Sequence, residues 1–145
     1  MKPTAIKTPG RVTFAVLLVG LAIAVWQPPA SAQQGLGASR TSVAREVTVT
    51  VTPVKLASLE WEFKVVLDTH AGELTDEIAS KSLLLVDGKA RQPIAWEGTG
   101  SGGHHREGIL RFAAPEGNVG NMELRLQRPG EPIPRVFRWE LPTGR

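Results

Sequence analysis

Along "EVTVTVTPV", residues 46–54, apolar and polar positions alternate strictly. Val47, Val49 and Val51 fall on one face, and Thr48, Thr50 and Thr52 on the other. Period-2 alternation of β-branched residues predicts a half-buried strand, and Pro53, which cannot donate to a ladder, points to a sheet edge. "LEWEFKVVLDTH" repeats the pattern: Trp61, Phe63, Val65 and Leu67 share one parity, and Glu60, Glu62, Lys64, Asp68 and His70 the other. "AGELTDEIAS" then reads as a helical turn or a crossover between sheets. In "SLLLVDGKARQPIAWEG" the pattern predicts a buried strand, a turn at Asp87–Gly88, and a second strand with Ile94 and Trp96 inward.

Three further alternating stretches follow. "EGILRFAA" puts Leu110 and Phe112 inward, "MELRLQR" alternates after the turn cluster "PEGNVGN", and "RVFRWEL" puts Phe137, Trp139 and Leu141 inward. Seven short strands spaced by turn signals predict an all-β fold, an immunoglobulin-like β-sandwich over residues 46–142. Trp61, Trp96 and Trp139 share the inward parity, which assigns them to the core rather than to a stacking platform for sugars. Residues 33–45, "QQGLGASRTSVAR", are polar and without period, as in a flexible leader.

The first 32 residues change the charge balance. Lys2, Lys7 and Arg11 precede an apolar run from Val12 to Trp26, and "QPPASA" supplies a helix stop and small residues. This is the order of a cleavable signal peptide, residues 1–32, with cleavage after Ala32. The apolar run is shorter than the ~20 residues a spanning helix needs. The expected destination is periplasmic or secreted, with no membrane attachment after cleavage. All 14 acidic residues but only 14 of the 17 basic ones lie beyond position 32, so the mature chain is formally neutral. Clustered positive charge for nucleic acid is absent from this pattern. The chain has no cysteine, so no disulfide or thiolate site is available.

Candidate chemistry concentrates in "GTGSGGHHREG", residues 98–108, and at His70; these hold all three histidines. In an immunoglobulin-like topology strands B and E are antiparallel neighbours, which brings the end of "LEWEFKVVLDTH" beside the start of "EGILRFAA". His70 then lies near His104 and His105. Asp68, His70, His105 and Glu107 carry outward parity, and His104 joins them if the glycine loop bends. Two readings follow. In one, His70, His104, His105, Asp68 and Glu107 bind a divalent metal, zinc or copper(II). In the other, the residues brace a corner, with Asp68 or Glu107 bonding Arg106.

"WEFKVVLDTH", "GGHHREGILRF" and the closing "RVFRWEL", in that order, resemble small exported bacterial β-sandwich proteins, over most of residues 46–141. The resemblance implies an exported β-domain and nothing catalytic. The residues agree: no GxSxG, HExxH or Walker pattern occurs. The sequence thus favours an exported binding domain, with a structural or assembly domain of the cell envelope as its rival. That rival would meet a protein partner through a sheet edge.

Overall fold

The computed structural model describes residues 37–57 and 59–142. The expected signal peptide and the first residues of the leader lie outside the described residues. Among the described residues nine strands form: β1 (Arg40–Ala44), β2 (Val47–Lys55), β3 (Glu60–Thr69), β4 (Ser82–Val86), β5 (Lys89–Arg91), β6 (Ala95–Gly98), β7 (His105–Ala113), β8 (Asn121–Leu126) and β9 (Arg135–Glu140). They make a five-stranded sheet, β1-β2-β3-β7-β6, and a four-stranded sheet, β5-β4-β8-β9. All pairings are antiparallel. With β2 as A, β3 as B, β7 as E and β6 as D, the first sheet reads A-B-E-D. The second reads C′-C-F-G, so the expected immunoglobulin-like strand order is present.

The alternation read from the sequence is the alternation of burial. Val47, Val49, Val51, Trp61, Phe63, Val65 and Leu67 are buried from the first sheet, and Leu84, Met122, Leu124, Phe137 and Trp139 from the second. Phe63 sits at the centre, edge-on to Phe112 at 5.7 Å and tilted against Trp139 at 5.9 Å. Burying a phenylalanine side chain contributes about 2–3 kcal/mol; the Phe112 contact lies within the first sheet, and the Trp139 contact joins the two sheets. Residues 70–81 cross from one sheet to the other and bury their own Leu74 and Ile78 in the core. One helical turn also occurs there, closed by Lys81 N donating to Glu77 O at 2.9 Å.

Three expectations need correction. Residues 40–44, read as flexible leader, form β1 and pair with β2 from Arg40↔Val51 to Ala44↔Val47. The connecting turn uses Arg45 and Glu46 at φ 47° and 62°, a left-handed pair that normally selects glycine or asparagine and so gave no sequence signal. β2 is consequently not an edge strand; Pro53 is tolerated because β1 reaches only as far as Val51 on that side. Ile94 is 53% exposed rather than inward. Its N–H donates to Arg111 O at 2.8 Å, while Arg111 is also the ladder partner of Ala95. Two residues facing one is a β-bulge, which turns Ile94 off the inward face.

Candidate functional site

The three histidines share one end of the sandwich. β3 and β7 pair in the register Asp68↔His105, so the end of one strand lies beside the start of the other. Thr69 N donates to His104 O at 2.9 Å, Leu74 N to Gly103 O at 2.9 Å, and Gly102 N to Leu74 O at 2.8 Å. The glycine loop is thereby laced to the β3–β4 crossover by backbone bonds. Gly102 and Gly103 adopt φ of 107° and 74°, which lets the loop turn its carbonyls and amides towards Leu74.

The five candidate ligands are not gathered into one group. His105 Nδ1 and Asp68 Oδ1 are 2.5 Å apart on an open face of the sheet. Glu107 is engaged by Lys64 Nζ at 3.1 Å. His70 and His104 are exposed. Among the described residues, no three histidine, aspartate or glutamate side chains converge to hold a metal ion. The bracing seen in the structure also differs from the expected one. Arg106 bonds neither Asp68 nor Glu107; it is buried and donates to Asp76 O at 2.6 Å, Thr99 O at 3.2 Å and Leu74 O at 3.3 Å.

Arg106 belongs to a buried set of charges under the histidine loops. Arg128 donates through Nε and Nη2 to the two carboxylate oxygens of Asp76, at 2.7 and 2.9 Å. Its Nη1 reaches Glu131 Oε1 at 3.1 Å, and Glu131 also accepts from Arg135 at 2.6 and 3.0 Å. Arg135 continues to the carbonyls of Ser42, Ala44 and Val47 at 2.7–2.9 Å. Arg128 and Arg135 thus face the two carboxylates, while Arg106 is held by main-chain carbonyls alone and its Nε is buried without an acceptor among the described residues. The hydrogen bond from Arg135, reinforced by both arginine charges, holds the Glu131 carboxyl below the usual carboxylate range against the opposing effect of burial. The sequence carried a sign of this cluster: Arg106, Arg128 and Arg135 continue the inward parity of Leu110, Leu126 and Phe137. An arginine on a core-facing position must find acceptors inside.

The sheet edges differ in how they are closed. β1 and β9 face each other, stapled by Arg135 on the β1 carbonyls, by Arg40 Nε on Arg138 O at 3.0 Å, and by Trp139 Nε1 on Ala38 O at 2.7 Å. β5 is three residues long and carries Lys89 and Arg91 opposite the core-facing Val86 and Leu84. Short length and inward charge both blunt an edge against pairing. Among the described strands β6 is the remaining edge. Thr99 N donates to Glu107 O at 3.0 Å, which sets the odd residues 95, 97 and 99 bonding towards β7. The backbone groups of Trp96 and Gly98 therefore point away from the sheet.

Trp96 is bound closely to that edge. A β-carbon on Gly98 would lie 2.4 Å from the Trp96 ring, and one on Gly108 would lie 2.7 Å from it. The indole thus lies across the Gly98–Gly108 pair. Its Nε1–H is buried without an acceptor among the described residues. No family model, curated protein or solved structure matches the chain.

Proposed function

We propose that the chain is an exported, non-catalytic binding module that pairs with an extended segment of a protein partner along β6. The observation that carries this reading is the inequality of the edges: β1 and β9 are stapled together by arginine side chains, β5 is blunted by inward cations, and β6 keeps the backbone groups of Trp96 and Gly98 turned outward. An added strand satisfies such groups with main-chain hydrogen bonds.

The histidine end serves this module as a brace. Its loops are held by backbone bonds and by the Asp76–Arg128–Glu131–Arg135 cluster, and His105 is satisfied by Asp68. The His105–Asp68 pair stands on an exposed sheet face rather than in a cleft, which favours binding over catalysis. Export rests on the basic and apolar order of residues 2–26.

Site-specific photocrosslinking in cells tests the reading. A photoreactive residue at position 97 should give a discrete adduct with one envelope protein, and the same probe at Thr50 should not. No adduct from position 97, or the same adduct from both, overturns edge pairing. Titration with zinc and copper(II) tests the rival use of the corner. Stoichiometric uptake lost in His105→Ala would transfer the function to a metal held by the histidines.

A further inference from the structure

At the end opposite the histidines, a cleft of about 550 Å³ opens between the β4–β5 turn and the β7–β8 loop. Val86, Ala114, Pro115 and Val119 form its apolar wall, and Lys89, Arg91, Glu116 and Asn118 its polar one. The position of the cations follows from strand parity. Lys89 pairs with Val86 and Arg91 with Leu84, so both extend from the core-facing side of the sheet at its short edge. Neither forms an ion pair with a described residue, and Arg91 Nε is buried without an acceptor.

The fourth charged group of the cleft is already committed. Asp87, at φ 47° in the β4–β5 turn, accepts from Gly120 N at 3.2 Å and from Asn121 N at 2.9 Å. Its carboxylate fastens the two rims together. Two cations therefore confront one uncommitted carboxylate, Glu116, in a concave site.

We infer that this cleft binds a small oxyanion, with the terminal nitrogens of Arg91 and Lys89 Nζ as its principal donors and Asn118 as a neutral one. A carboxylate or phosphate matches the paired acceptor geometry that a guanidinium edge recognises, and gives the Arg91 guanidinium a counter-charge that no described residue supplies. Glu116 opposes the anion and limits its affinity. The site is independent of the β6 edge, so failure of one leaves the other standing.

The purified protein should be titrated with inorganic phosphate, succinate and chloride at matched ionic strength, following the Arg91 Nε–H resonance by ¹⁵N NMR. Phosphate or succinate should shift that resonance together with the Lys89 and Asn118 amides, and chloride should not. The tighter of the two identifies the ligand as a phosphoryl or a carboxylate compound. Arg91→Gln should weaken binding about tenfold or more, since it removes the charge-assisted donor. Glu116→Gln should tighten it by removing like charge from the site. An unshifted Arg91 Nε–H with both anions, equal shifts with chloride, or unchanged affinity in Arg91→Gln overturns the inference. The thermal midpoint of Arg91→Gln, expected to match the parent because Arg91 bonds no described acceptor through Nε, separates lost binding from lost fold.

Discussion

Asp76 and Arg128, 52 positions apart, form a two-point ion pair sealed beneath the histidine loops, with Asp76 1% exposed and Arg128 8% exposed at their side chains. Taking one partner away from a buried pair strands the other charge. Asp76→Asn should cost about 3–5 kcal/mol of stability. Lys64→Met, which opens the exposed Lys64–Glu107 pair, should cost less than about 1 kcal/mol. Urea unfolding of the two variants checks the contrast.

Glu131 makes this cluster sensitive to acid. Its carboxyl lies below its ordinary value of 4.5 in the folded protein, first through the hydrogen bond from Arg135. A depressed carboxylate contributes stability that is present above the unfolded value and lost as pH falls through the folded one. Thermal midpoints should therefore drop as pH is lowered below 4.5, and Glu131→Gln should flatten that drop while lowering stability at neutral pH. A parent and variant with parallel pH profiles would remove Glu131 from the acid response.

The β1–β2 turn holds two non-glycine residues in left-handed conformation, Arg45 and Glu46. Each such residue stores strain that glycine relieves. Glu46→Gly should stabilise the protein by about 1 kcal/mol, read as a higher urea midpoint with unchanged slope. Its main-chain carbonyl, which accepts from Thr69 Oγ1 at 3.1 Å, is kept by the substitution.

Gly108 tests the packing of Trp96. A β-carbon there would lie 2.4 Å from Gly98 Cα and 2.6 Å from Glu97 O, both backbone atoms that cannot swing aside. Gly108→Ala should destabilise by about 1–3 kcal/mol and move the Trp96 fluorescence.

The core and the B–E pairing were legible in the sequence because both depend on local alternation. Val47, Val49 and Val51, and Trp61, Phe63, Val65 and Leu67, name their own inward face, and antiparallel neighbours then bring Asp68 beside His105. Parity gives direction but not distance. It put Asp68, His70, His105 and Glu107 on outward positions, and could not tell that Lys64 would engage Glu107 or that Asp68 would be used by His105. β1 was hidden because its turn is built from Arg45–Glu46 instead of a glycine pair. Ile94 leaves the inward face because a bulge breaks the period-2 alternation there. The buried arginines were visible as inward charges at positions 106, 128 and 135. Their partners were not, since Asp76 comes from a crossover without regular period.

Amide hydrogen exchange across residues 95–99 of the free protein tests the open edge most directly. Trp96 and Gly98 should exchange near the rate of unstructured chain, while Glu97 and Thr99, bonded to β7, should be strongly protected. Equal, strong protection at all four amides would mean that β6 is already covered, and would contradict its use for a partner.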